Sequence, residues 1–144
     1  MKIGAAGIGL IRKYESLALK AYICPAGFPT IGWGHKITKG DRLGNEISLD
    51  QAEALLMADI AIAEAAVNAL IKAPISQNQF DALVSFVFNL GADEVKASTL
   101  VQYVNANQHN LAAGQFGCWI FSKKKPLAGL IKRRADEALL FIKK

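Results

Sequence analysis

The sequence predicts an α+β fold: a small N-terminal lobe with a three-stranded antiparallel sheet, a long connecting helix, and a larger helical lobe. Three observations carry the prediction. Pro25, Gly27, Pro29, Gly32 and Gly34 crowd a stretch near the N-terminus and forbid a continuous helix there. From Ser48 to Ala73 the chain has neither Gly nor Pro, and its apolar residues recur at helical spacing. Beyond Pro74 the pattern is mainly helical, interrupted near Lys123–Pro126. The 144 residues suffice for a single domain (1–144), with the N-terminal lobe at about 1–47, the connecting helix at about 48–73 and the helical lobe at about 74–144.

Residues 5–13 read as a short first helix with Ile8, Leu10 and Ile11 on its apolar side. Ala21–Cys24 and Thr30–Trp33 are short enough to pair as strands, with the turn Pro25-Ala-Gly-Phe28 between them. A third strand is expected near Lys36–Thr38. Ser48-Leu-Asp-Gln51 is a capping box that opens the long helix, in which Leu49, Ala52, Leu56, Ile60, Ala63, Val67 and Leu70 fall on one side. At 1.5 Å per residue about 25 residues span ~37 Å, long for a small bundle and suited to a spine between lobes. Ser76-Gln-Asn-Gln79 is a second capping box, opening an apolar helix that Gly91 closes. Shorter helices are expected near Ser98–Asn107 and Leu111–Ile120, a loop at Lys123–Pro126, and a final helix at Leu127–Ile142 with Leu130, Ala135, Ala138 and Leu139 facing inward.

The apolar fraction of 52% and charged fraction of 20% are those of a water-soluble globular protein. The apolar run at Met1–Ile11 is far shorter than the ~20 residues that span a bilayer, and Arg12, Lys13 and Glu15 close it, so it reads as a helix rather than a signal peptide or transmembrane segment. Two cysteines form no disulfide framework, and a Cys24–Cys118 bridge is disfavoured because Cys24 lies among the candidate site residues. With two histidines and no paired carboxylate cluster, neither a metal nor a cofactor is indicated. The net charge of +5 is concentrated late in the chain, at Lys96, Lys123, Lys124, Lys125, Lys132, Arg133, Arg134, Lys143 and Lys144, against only Asp136 and Glu137 after residue 95. A basic surface of this kind suits a polyanionic partner. Nucleic acid is the weaker choice, because no recognised binding signature accompanies the charge.

The chemistry-bearing stretch runs from Glu15 through Cys24 and Thr30 to His35. Glu15 falls where the first helix ends, and the partial negative charge of a helix C-terminus favours a protonated carboxyl, the form a general acid requires. Cys24 and Thr30 flank a turn that can face it. At Cys24 several roles stay open: a thiol or thiolate positioning water, a covalent nucleophile, an oxidation-sensitive brake, or a small residue filling a turn. His35 is expected to pin the sheet through a hydrogen bond, with a second acid–base group as the alternative. Phe28, Trp33 and Asn89 are candidates to line a sugar-binding groove between the lobes, though core packing is at least as good an account of the two aromatics.

The spacing of Glu15, Cys24, Thr30 and the following Ile-Gly-Trp-Gly-His35 resembles the signature of the phage-type lysozymes (endolysins, glycoside hydrolase family 24), in their lambdoid-phage and prophage branch. Gln79–Gly91 resembles the family's central helix, and Gly129-Leu-Ile-Lys-Arg-Arg134 with Glu137 its C-terminal helix, so the resemblance runs over nearly the whole chain. It implies a lysozyme-like fold and hydrolysis of the β-1,4 bond between N-acetylmuramic acid and N-acetylglucosamine in bacterial peptidoglycan, for host cell lysis. It implies Glu15 as general acid, with Cys24 and Thr30 holding the attacking water in an inverting geometry. The family most often has aspartate at the position of Cys24, and that departure puts the thiol's role in question. The resemblance further implies a monomer without cofactor, held in the host bacterial cytoplasm until a holin opens the membrane to the periplasm and wall. An anionic membrane surface is a further candidate partner. Two alternatives stand beside hydrolysis: a lytic transglycosylase, which needs only the acid, and a cationic membrane-disrupting or wall-binding protein.

Overall fold

The computed structural model describes residues 1–144. Helix α1 (Ala5–Glu15) leads into strands β1 (Ala18–Ile23), β2 (Pro29–Gly32) and β3 (His35–Lys36), which pair antiparallel in the order β1-β2-β3. Helices α2 (Leu49–Leu70) and α3 (Gln77–Leu90) follow, then α4 (Ala92–Val95), α5 (Thr99–Asn105), α6 (His109–Gln115) and a 3-10 turn at Phe116–Cys118. A second hairpin, β4 (Phe121–Ser122) and β5 (Lys125–Pro126), precedes the last helix, α7 (Ala128–Ile142). The fold is α+β with a three-stranded antiparallel sheet, as the sequence predicts.

Both capping boxes form: Ser48 accepts from the Gln51 N–H and Ser76 from the Gln79 N–H, while each glutamine side chain reaches back to its N-cap. Helix α2 is 22 residues long, ~33 Å, and buries Ala52, Leu56, Ile60, Ala63 and Val67 as its spacing predicts, although Leu49 is exposed. Helix α3 is the centre of the molecule. Its residues Phe80–Val87 are buried without a break because α1, α2 and α7 surround it. The main core gathers Ile11, Leu56, Ile60, Phe80, Leu83, Phe86, Leu100, Phe116 and Phe141, and a small separate core of Ile31, Ile47 and Ala52 lies under the sheet.

Several local expectations are corrected. The third strand is His35–Lys36, because Gly32 and Gly34 (φ +68° and +74°) turn the chain one residue earlier than expected. Residues 45–47 add to the sheet: the Ala21 N–H donates to Asn45 O, and the Ile47 N–H to Leu19 O. Lys123–Pro126 is part of a hairpin rather than a loop, with Ser122 paired to Lys125. On α7, Ala135 and Leu139 face solvent, and the buried positions are Arg133, Arg134, Glu137 and Phe141. Arg133 and Arg134 therefore do not belong to the basic surface. Their charges are neutralised inside the molecule, so the inward face of α7 is polar where the sequence suggested leucine and alanine.

Helix α1, which carries Glu15, has no local side-chain cap. Asp81 of α3 supplies one from across the fold, accepting from the Gly4 N–H at 2.8 Å and the Gly7 N–H at 3.1 Å. A side chain at Gly7 would put its Cβ 2.9 Å from Asp81 Cβ and 2.6 Å from Ile3, so the close approach requires glycine. Ahead of α1, the buried Glu64 of α2 accepts from the Ile3 N–H at 2.7 Å and pairs with Lys2. No helix is long and apolar enough to cross a membrane.

Candidate active site

Glu15 is the last residue of α1, and its side chain is 17% exposed. Arg133 Nη1 donates to its Oε1 at 2.6 Å. The other oxygen, Oε2, points at the sheet. An ideal Cβ built on Gly34 would lie 2.1 Å from Oε2 and 2.8 Å from Cδ, so the turn between β2 and β3 closes on this carboxylate as only a glycine backbone can.

Glu15 is the outermost member of a neutral quartet of alternating charges. Arg133 Nε is 3.2 Å from Glu137 Oε1, Arg134 Nε is 2.7 Å from Glu137 Oε2, and the Ser85 hydroxyl donates to Glu137 at 2.7 Å. Arg133 also donates to the Ser85 carbonyl at 3.2 Å. Burial pushes Glu137 upward against the pull of both guanidinium groups and Ser85, and pushes Arg134 downward against Glu137. Arg134 extends the network to Asn89, donating to its Oδ1 at 3.0 Å, and rests on the Phe86 ring.

Cys24 begins the turn after β1, half-buried and unbridged. Burial disfavours its thiolate, but the polar surroundings supplied by the Phe28, Ala26 and Gly27 backbone and the Thr30 side chain outweigh that, so its pKa is lowered from the ordinary thiol value. Thr30 is buried in β2, and its hydroxyl donates to the Phe28 carbonyl at 2.9 Å. Tyr22 stands opposite Thr30 in the sheet register. Its phenol is held above its ordinary pKa by burial first and then by the charges of Glu15 and Cys24, so acid and thiol act on one neighbourhood.

His35 lies between two carboxylates, with Nδ1 2.8 Å from Asp59 of α2 and Nε2 3.0 Å from Asp41. Burial opposes the imidazolium, yet the two carboxylates raise the histidine above its usual pKa. His35, Gly34, Lys36 and Asp59 face Val87–Ala92 across a groove of about 460 Å³, and Asn89 lines it. Of the residues expected in the groove, neither Trp33 nor Phe28 lines it. Trp33 packs against both cores beneath Arg12, and Phe28 is exposed at the hairpin tip with Lys36 over its ring. A larger hollow of about 530 Å³ lies at the other end of α3, ~20 Å away by helix rise and apart from Glu15 and Cys24.

Sequence reasoning missed Arg133, Glu137, Tyr22, Asp59 and Gly34 as parts of this neighbourhood. A signal existed for two of them. Leu130, Arg133, Arg134, Glu137 and Phe141 form one i, i+3, i+4 stripe, and opposite charges on a stripe that ends in phenylalanine are a mark of a buried, paired face.

Comparison with known proteins bears on the family and the fold. The family described as "Phage lysozyme" matches residues 12–137. The endolysin of Acyrthosiphon pisum secondary endosymbiont phage 1 is 44% identical over 98% of this chain and 98% of its own. The endolysin of Bacillus phage B103 is 41% identical over 99% of this chain, which spans 54% of that longer protein. A solved structure, the muramidase domain of SpmX from Asticaccaulis excentricus, aligns with a TM-score of 0.87 at 38% identity and covers 99% of each chain.

Proposed function

The chain belongs to the phage lysozyme family and is a lysozyme-type glycoside hydrolase with a muramidase role in cell lysis, and we propose that it hydrolyses the β-1,4 bond between N-acetylmuramic acid and N-acetylglucosamine with Glu15 as general acid. The observation that carries this reading is the closure of the Gly34 backbone on Glu15 Oε2. One carboxylate oxygen is fixed by Arg133, and the other faces the sheet that carries Cys24 and Thr30.

In this reading the proton on Glu15 passes to the glycosidic oxygen as the C1–O bond breaks. Water held by Cys24 and Thr30 attacks C1 from the opposite face, and the thiolate accepts its proton. Two opposed groups with water between them describe an inverting hydrolase. The lowering of the Cys24 pKa supports the base role. His35 is then a positioning residue that ties β3 to α2, and Asn89 is the groove amide available to the sugar. Passage to the wall through membrane lesions made by a separate holin belongs to the same reading.

The test is turbidity loss of wall suspensions by Glu15→Gln, which keeps the side-chain shape and removes the transferable proton. We expect activity to fall at least a hundredfold, within the range general acid catalysis supplies, about 10²–10⁴. Retention of most activity would refute the assignment.

A further inference from the structure

Hairpin β4–β5 turns on Lys123 and Lys124, at φ +50° and +65°. A two-residue turn with both central residues in the left-handed region is the type that favours Asn-Gly, because a side chain is strained there. The chain places two lysines at these positions and a third at Lys125. All three are exposed, as is Lys132 one turn into α7, and none of the four takes part in an ion pair. The strain is retained together with an unneutralised cluster of ammonium groups at the hairpin tip.

The cluster lies at the acid's end of the molecule. Lys13 pairs with Asp136 at 2.7 Å and Glu15 with Arg133 at 2.6 Å, so α1 runs antiparallel to α7 and its C-terminus points toward the N-terminal end of α7. Ala128, the first residue of α7, is ~8 Å of helix rise from Arg133, and the hairpin joins directly to it. Leu127 extends the hairpin ladder, its N–H donating to Ile120 O at 2.9 Å, which fixes the lysine tip to the helix that holds the acid.

We propose that the Lys123–Lys125 hairpin contacts the carboxylates of the peptide stems that a peptidoglycan strand carries beside its scissile bond. The inference rests on the reading above and adds to it a substrate contact outside the groove. A membrane is the less favoured occupant, because a bilayer laid on the hairpin would cover the end of the molecule where the acid must meet the strand.

The test uses the double substitution K123N/K124G, which gives the turn its preferred residues and removes two charges. Initial rates are measured on soluble stem-bearing glycan strands and on the same strands stripped of stems by an amidase. We expect KM on stem-bearing strands to rise ~3–10-fold, the range for two exposed ion pairs, with kcat within about twofold. KM on stripped strands should stay unchanged, and Tm should rise by about 3–8 °C as the turn relaxes. The charge-preserving K123R/K124R chain should keep the KM of the parent.

An equal change on both substrates, or none on either, would overturn the proposal. Loss of binding to phosphatidylglycerol vesicles with KM unchanged would overturn it in favour of the membrane. Failure of the unsubstituted chain to hydrolyse either substrate would instead sink the proposed activity, and this contact with it.

Discussion

Replacing Arg133 by methionine tests the charge quartet that includes Glu15. Methionine keeps much of the arginine stem's packing and removes the guanidinium. Glu15, Arg133, Glu137 and Arg134 sum to zero, so the variant holds one uncompensated negative charge: Glu15 loses its ion-pair partner, and the fully buried Glu137 keeps only Arg134 and Ser85. Breaking a buried pair in this way costs about 3–5 kcal/mol. An unfolding entropy of about 2.1 cal/mol/K per residue gives about 0.3 kcal/mol/K for 144 residues, and hence a fall in Tm of about 10–17 °C. The assay is urea and thermal unfolding of Arg133→Met, Glu137→Gln and the double variant. The double variant leaves Glu15 and Arg134, again neutral, so it should cost about 1–3 kcal/mol less than the two single changes added together. A fall of less than about 3 °C for Arg133→Met, or an additive cycle, would refute the account of the quartet.

Gly34→Ala puts a methyl group onto Glu15 Oε2 and a side chain at φ +74°, so wall hydrolysis should fall about a hundredfold while the circular dichroism spectrum stays native; full activity would contradict the close approach. His35 is raised and Asp41 lowered relative to their usual values. The His35 contribution to stability is therefore complete below about pH 6.5 and lost as pH rises through the folded-state pKa above that, whereas the Asp41 contribution is present above about pH 3.9 and lost as pH falls. Urea midpoints should decline above about pH 6.5, and His35→Gln should remove that decline; an unchanged slope would exclude the histidine as its source. Cys24 should react with iodoacetamide with a pH midpoint below the ~8.5 of the urea-unfolded chain, and Thr30→Val should move the midpoint upward. A midpoint in the native protein at or above that of the unfolded chain would remove the thiolate from the mechanism.

The sheet and the two long helices were legible because their signals are local. Capping boxes at Ser48 and Ser76 act over three residues, and Gly32 and Gly34 bend the chain where they stand. Glu15 was legible in the same way, as a carboxylate at the end of a short helix. What sets its environment was not, because Arg133 lies 118 residues away and reads in sequence as one more cation of a basic tail. The helix N-terminus was equally hidden: Gly4 has no side chain to accept from the first turn, and nothing in its neighbourhood announces that Asp81 will do so instead. Alternating burial assigned α7 by hydropathy alone, and that failed at Ala135 and Leu139 because paired charges can be buried together when each satisfies the other. The lysine hairpin escaped because its turn residues are the opposite of those that mark such turns.

Helix α2 ties both α1 and the sheet to itself, and it does so from two points on one helix. Glu53 is paired with Arg12 of α1, three residues before Glu15, and Asp59 is paired with His35, one residue after Gly34. The helix that carries the acid and the sheet that carries Cys24 and Thr30 are thus referenced to the same rigid rod, less than two turns apart. Arg12 also lies over Trp33, 5.6 Å from the ring centroid, so the two anchors are joined on the sheet side as well. A third anchor, Arg133, holds Glu15 from the opposite direction through α7. An inverting site tolerates little variation in separation, because one water must fit between two opposed groups. Hydrophobic contact alone would let the small sheet core of Ile31, Ile47 and Ala52 slide against α2, since apolar packing is weakly directional. Ion pairs of defined geometry at Arg12 and His35 remove that freedom. Within the proposed mechanism Trp33 and His35 therefore position the reacting groups without touching the sugar.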